Sequence, residues 1–262
     1  MSKYIQFSIE SGVATLTLDR AEKRNALKRD FIEEILGALD QVQQDEAVRV
    51  FVLNAAGSVF CAGMDLGEMQ ERATAENKEK EWQRDSEVFC EMVTKIYSLP
   101  VPTVAAIQGP VLAGGMGMIL ACDIVVAADS VFFALPEPMR GITAAMVTPF
   151  LIQRVGAGPA TYMLLSGRRV SASEAERFGL AHQLTSNDQL AHEIEELKQS
   201  ILTGSPRALA ITKRHVDDCS AANLIQQVRA SIGVSAQARE TDDAREGLAA
   251  FLEKRKPNWQ TN

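Results

Sequence analysis

Residues 102–137 read PTVAAIQGPVLAGGMGMILACDIVVAADSVFFALPE, and this stretch decides the architecture. Thr103–Ile107 is a short apolar run closed by Gly109 and Pro110, the pattern of a buried strand and a turn. Leu112–Cys122 consists of small and apolar residues and reads as a helix. Ile124–Ala127 and Val131–Ala134 read as strands again. The apolar window from Pro110 to Ala128 is broken by Gly114, Gly115, Gly117 and Asp123, so a buried helix entering a strand is favoured over a membrane span. Strand, turn and helix in alternation predict βαβ units in a layered α/β fold.

Upstream, the same alternation continues. Tyr4–Glu10 and Val13–Asp19 alternate apolar and polar residues around Ser11-Gly12, which predicts a β-hairpin. Lys28–Asp45 places Phe31, Ile35, Leu36, Leu39 and Val42 at helical spacing. Val48–Asn54 (VRVFVLN) is a buried strand that ends in the loop 55–58. Ala73–Leu99 is highly charged before the stripe Trp82, Val88, Phe89, Met92, Val93 and Ile96, so a mobile segment leading into a helix is expected there. Pro100 and Pro102 stop that helix. From Ala144 onward the pattern is helical, with candidates at 173–178, 189–201, 207–218, 224–238 and 242–254. The expected organisation is an α/β core over residues 1–200 and a helical part over 201–262.

The 262 residues carry 27 basic and 34 acidic side chains, a net charge of −7. That balance disfavours a general nucleic-acid or anionic-membrane binder, while a local basic patch can still hold one phosphorylated ligand. The opening MSKYIQFSIE has no apolar segment of the signal-peptide kind. Cys61, Cys90, Cys122 and Cys219 stand apart from one another, and His182, His192 and His215 lack ligand spacing. No metal site is expected, and the thiols read as reduced in a cytoplasmic protein. The signatures of serine hydrolases, P-loop enzymes, zinc peptidases and dinucleotide-binding folds are all missing.

Two glycine-containing turns are more informative, although spacing alone favours two tight turns with no ligand. Phe60-Cys61-Ala62-Gly63-Met64-Asp65-Leu66 follows the strand at 48–54, and Val111-Leu112-Ala113-Gly114-Gly115-Met116-Gly117 opens a helix. Small residues let a ligand approach the backbone, and the first N–H groups of a helix lack internal partners. Two such turns converging would form an oxyanion hole; apart, they are merely tight turns.

These turns belong to a longer series: Arg24-Asn25-Ala26-Leu27, Phe60–Leu66, Pro102–Gly109, Ala113-Gly114-Gly115 through Ala121-Cys122-Asp123, Leu164–Gly167 and Ala175–Leu180. In order and spacing the series resembles the crotonase (enoyl-CoA hydratase/isomerase) superfamily over almost the whole chain. The resemblance implies a crotonase-like spiral of ββα units with a helical C-terminal part that builds homotrimers or homohexamers (dimers of trimers). It implies an acyl-CoA thioester as substrate, coenzyme A being part of that substrate, with no further cofactor.

Residue by residue, the resemblance puts the thioester carbonyl between the N–H groups of Ala62 and Gly114. Of the family's two glutamates, one falls on Glu137 and the other on Gly117. A lone Glu137, its pKa raised among Phe132, Phe133, Leu135 and Met139, would act as base and then acid. Glu87 and Glu91 are candidates to replace the lost carboxylate. Gly117, with Met116, Met118, Ala144, Ala145 and Met146, would leave room for a bulky acyl group, as in the branch acting on glutaconyl-type thioesters such as isohexenylglutaconyl-CoA. Lys23, Arg24, Lys28 and Arg29 lie at the nucleotide loop, with Arg24 the chosen phosphate contact. Gly63, Met64, Asp65 and Leu66 flank or fix the CoA arm, and the run 253–257 would reach a neighbouring subunit's CoA. The leading expectation is a hydratase adding water across C2–C3 of an enoyl-CoA. A Δ3,Δ2-enoyl-CoA isomerase, a decarboxylase and a non-catalytic acyl-CoA binder are the alternatives.

Overall fold

The computed structural model describes residues 2–220 and 223–260. Ser11 and Gly12, at φ +50° and +81°, form the hairpin turn between β1 (Ile5–Glu10) and β2 (Val13–Leu18), which pair antiparallel. Two consecutive residues in the left-handed region suit the right-handed twist of the strands. A helix, α1 (Arg29–Gln44), leads to β3 (Val50–Ala55), parallel to β2. After α2 (Leu66–Ala73) and α3 (Lys78–Tyr97) come β4 (Thr103–Ile107), β5 (Val111–Leu112) and α4 (Gly114–Leu120). The strands β6 (Ile124–Ala128) and β7 (Phe132–Ala134) are followed by a 3-10 turn over Glu137–Arg140. Two more helices, α5 (Thr148–Val155) and α6 (Ala157–Ser166), precede β8 (Val170–Ser171), α7 (Ala172–Arg177) and β9 (Gln183–Thr185). The chain ends in α8 (Leu190–Thr203), α9 (Pro206–Ser220), α10 (Leu224–Arg239) and α11 (Asp242–Leu252).

One sheet has the order β1-β2-β3-β4-β6-β9, and a smaller one has β5-β7-β8. The parallel strands are buried on both faces, which explains their unbroken apolar runs. Phe51, Leu53, Ala105, Ile107, Val125 and Ala127 face the main core with α1, α3 and α4. The alternate residues Val50, Val52, Val104, Ala106 and Val126 face Leu190 and Ile194 of α8. No helix among the described residues is long and apolar enough to cross a membrane.

Three expectations need correction. The charged segment after Ala73 is helical from Lys78, because its charges pair across elements: Asp85, 3% exposed, is held by Arg29 of α1 and Arg72 of α2. Helix α2, only eight residues long, shows no long apolar stripe in the sequence. The region after 144 also contains β8 and β9, too short to show alternation. The chain leaves α8 at Thr203 and begins α9 at Pro206, so residue 200 lies inside a helix.

The close approach of α4 to the 60–66 turn requires glycine. A Cβ on Gly115 would lie 2.8 Å from Cys61 Cβ and 3.0 Å from its carbonyl oxygen, whereas one on Gly37, mid-way along α1, meets nothing within 4 Å. Gly115→Ala is therefore expected to cost ~1–3 kcal/mol by overpacking, and Gly37→Ala to add about 0.5–1 kcal/mol. Urea denaturation of the two variants checks both signs.

Candidate active site

The 60–65 turn is fixed by main-chain bonds on three sides. Phe60 and Cys61 donate N–H to the Pro110 carbonyl, Ala62 donates to the Arg24 carbonyl at 3.0 Å, and Asp65 donates to that of Leu27 at 2.7 Å. The Gly63 N–H lies 3.4 Å from the Cys61 sulfur. Only the Met64 N–H in this turn donates to no protein acceptor among the described residues. The parallel bridge between Leu27 and Met64 explains the direction. Leu27 bonds the Gly63 carbonyl and the Asp65 N–H, so the Met64 N–H points away from it.

The second turn supplies a matching group. Ala113, at φ +51°, donates to the Ala134 carbonyl, and Met116 donates back to Ala113, while the Gly114 N–H at the start of α4 has no protein acceptor among the described residues. The two turns touch. A Cβ on Gly63 (φ +88°) would lie 2.6 Å from Ala113 Cβ and 3.2 Å from Gly114 N. Met64 and Gly114 therefore present the two open N–H groups, and both line the main cavity, about 580 Å³. This corrects the assignment of Ala62. Its N–H is spent on Arg24, and it contributes only a methyl wall. Gly63 does not line the cavity; it lets the two turns meet.

Asn25 has a structural role. It is fully buried at φ +52°; its Oδ1 accepts from the Arg20 N–H, and its Nδ2 donates to the carbonyls of Ala56 and Val59. That clamp holds the 20–27 loop against the 56–62 turn and aims the Arg24 carbonyl at Ala62. Asp65 caps α2 by accepting from Gly67 and Glu68, and pairs with Arg20 at 2.7 Å, so it fixes the loop.

Glu137 sits in the 3-10 turn after β7, 6% exposed, on the cavity wall. Its Oε2 has no hydrogen-bond partner among the described residues. Burial pushes its carboxyl up to about 7, against the opposing pull of its own backbone N–H and of the Arg140 guanidinium. Phe132 lines the cavity with it, under the Arg169 guanidinium at 4.4 Å. Phe133 and Leu135 are buried in the core instead, as the period of two along the strand requires, and Met139 is 47% exposed.

The position of the missing carboxylate is closed. A Cβ on Gly117 would lie 3.0 Å from Phe89 Cζ and 3.4 Å from Val93 and Val147, so Gly117 opens no space and does not line the cavity. Met116 and Met118 are fully buried core residues, whereas Ala144, Ala145 and Met146 do line it. Glu87 and Glu91 face a separate groove with Arg229 and Ile232. Of the four basic residues near the loop, Lys23 and Arg24 are exposed at the cavity rim, Lys28 pairs with Asp30, and Arg29 is held by Glu81 and Asp85. Met64 and Leu66 line the same rim. In the terminal run, Arg255 is bound by Glu246 and Glu253 of its own chain. Among the described residues no group of acidic, histidine or cysteine side chains is placed to hold a metal ion.

The family model described as enoyl-CoA hydratase/isomerase matches residues 8–262. A putative enoyl-CoA hydratase of Thermus thermophilus is 35% identical over 252 residues, covering 96% of this chain and 99% of that one. The 1,2-epoxyphenylacetyl-CoA isomerase of Escherichia coli is 28% identical over 260 residues, covering 99% of each chain. The crystal structure of an enoyl-CoA hydratase/isomerase from Xanthobacter autotrophicus superposes with a TM-score of 0.89 at 27% identity, over 100% of both chains. Another, of an enoyl-CoA hydratase from Mycobacterium avium, gives 0.85 at 31% identity, over 99% of this chain and 100% of that one. The chain belongs to the enoyl-CoA hydratase/isomerase family, the crotonase superfamily, and has its fold.

Proposed function

We propose that this protein is an acyl-CoA hydratase that adds water reversibly across the C2–C3 double bond of an enoyl-CoA. The observation that carries the reading is a solitary buried carboxyl, Glu137, titrating near neutrality on the same cavity wall as two unpaired main-chain N–H groups. The thioester oxygen accepts from Met64 and Gly114. Negative charge builds on that oxygen as the enolate forms, and each preorganised donor stabilises it by roughly 3–4 kcal/mol. Ionised Glu137 takes a proton from water while the hydroxyl oxygen bonds C3. The protonated acid then delivers that proton to C2, so water is consumed and the carboxylate returns. Lys23 and Arg24 hold the CoA phosphates at the rim, Arg24 as the bidentate donor. Ala144 and Ala145 leave width for a branched acyl group of the glutaconyl type, such as isohexenylglutaconyl-CoA. Exposed Ile211 on α9 and Val234 on α10 are available for a homotrimer or hexamer of a cytoplasmic enzyme.

A Δ3,Δ2-enoyl-CoA isomerase is the second reading. Phe89, Val93 and Val147 fill the place of a second carboxylate, and one acid suffices to carry a proton between C4 and C2.

Turnover of 2-enoyl- and 3-enoyl-CoA esters in H₂18O separates the readings. Label in a 3-hydroxyacyl product supports hydration, double-bond migration without label supports isomerisation, and carbon dioxide release supports decarboxylation. Glu137→Gln is expected to lower kcat by about 10²–10⁴; retention of most of the rate excludes Glu137 as the acid/base. The base form is the ionised one, so kcat/KM should rise with pH through about 7 and then level. The stability sign is opposite. A carboxyl raised in the folded state favours the protonated form, so its contribution is full below about pH 4.5 and lost as pH rises through about 7. Unfolding free energies of wild type and Glu137→Gln at about pH 4 and pH 8 should therefore diverge by about 3 kcal/mol, in favour of the variant at the higher pH. Gly117→Glu should lose more than ~2 kcal/mol in urea denaturation, through an unmatched charge against Phe89, and gain no hydratase rate.

A further inference from the structure

Of the four guanidinium groups that line the cavity, Arg24 and Arg169 are exposed, and Arg140 and Arg239 are withdrawn from solvent and unused in the proton transfers. Arg239 of α10 is 8% exposed and lines the cavity. Its Nη1 donates to the Ser86 hydroxyl at 3.0 Å and to the Trp82 carbonyl at 3.4 Å. Among the described residues no carboxylate forms an ion pair with it. Asp85 is the acid whose field it feels, and that carboxylate is already shared by Arg29 and Arg72. Arg140 follows Glu137 by one turn; its Nη1 donates to the Pro136 carbonyl at 3.2 Å and its face covers Phe251 at 4.5 Å. Its Nε is buried with no acceptor among the described residues.

The other sequestered arginines are either paired with a carboxylate or lie outside the cavity on main-chain carbonyls. Arg29 and Arg72 meet Asp85, Arg49 donates to the carbonyls of Leu202 and Gly204, and Arg154 donates to those of Leu120 and Cys122. Arg140 and Arg239 are the sequestered arginines that line the cavity; of the two carboxylates lining it, Glu137 is the acid whose field Arg140 feels, and Asp65 is paired with Arg20. Sequestering a cation without a counter-charge costs free energy that an incoming anion offsets. Their placement fits the acyl end. Ser86, which holds Arg239, is about one helical turn, roughly 5 Å, before Phe89, and the Phe89 ring packs against Gly114. Lys23 and Arg24 are at the exposed rim instead.

We propose that Arg239, assisted by Arg140, forms a subsite for a second carboxylate on the acyl group, so that the preferred substrates are CoA monothioesters of dicarboxylic acids. The subsite rests on the acyl-CoA reading of the cavity, and holds whether the reaction is hydration or isomerisation. It makes Arg239 a specificity residue that binds substrate away from the reacting carbons, through a charge-assisted and planar pair of N–H donors.

Calorimetric titration with two saturated five-carbon thioesters, glutaryl-CoA and valeryl-CoA, tests it without turnover. Glutaryl-CoA is expected to bind at least about tenfold more tightly, the size of effect that one charge-assisted hydrogen bond supplies. In Arg239→Gln the ratio should fall towards one, and in Arg140→Gln it should fall in part. Equal or weaker binding of glutaryl-CoA by the wild type overturns the subsite and leaves the acyl-CoA reading standing. Binding of neither thioester overturns both. A preference that survives in both variants places the carboxylate elsewhere and also overturns the assignment. Should Arg239→Gln fail to fold, the wild-type ratio and Arg140→Gln still decide.

Discussion

The contact between two glycine turns is the constraint from which the site follows. Gly63 meets Ala113 and the Gly114 N–H so closely that no side chain fits on it. The bridges Leu27–Met64 and Cys61–Val111 lock one turn to the 24–27 loop and to β5. Once those bonds are made, the direction of every N–H in the 60–65 turn is settled, and one is left over. The helix that starts at Gly114 leaves another, because an opening turn of helix has no internal acceptors. The proposed chemistry needs two donors that do not have to reorient as charge develops. A main chain held on three sides meets that requirement better than side chains with free rotors.

Opposite charges are handled by different means in this molecule. The chain as a whole is acidic, yet the cavity collects Lys23 and Arg24 at its rim and Arg140 and Arg239 on its wall. Glu137 avoids the surrounding solvent, and burial holds its proton until near neutrality, the range in which a group can both take and return one. Had Gly117 been an acid, it would have faced Phe89, Val93 and Val147.

The helical end of the chain completes the site. Arg239 and Ser235 of α10 and Phe251 of α11 form part of the cavity lining, and α11 packs on the turn that bears Glu137, where Gly141 and Gly247 permit backbone contact. The network of Arg29, Arg72, Glu81 and Asp85 ties α1, α2 and α3 together beside α10. Those charges read as a solvated, mobile stretch in one dimension; in three they are paired.

The order of strands and helices in the first half, the hairpin at Ser11-Gly12, the two glycine turns and the single glutamate at 137 were all legible in the amino-acid sequence. Each depends on local spacing, or on a resemblance carried by short motifs. Which N–H groups are open was not legible. Ala62 and Met64 look alike as small-turn positions, and only the partner carbonyl of Arg24, brought from another loop, removes the first and leaves the second. The same holds for Gly117, whose neighbours arrive from α3 and from the segment before α5, and for Arg239, which is far along the chain from Glu137. A sequence states which groups exist and how they repeat. Whether a donor is spent, a space is filled or a cation is matched depends on atoms from distant segments, and folding alone brings those together.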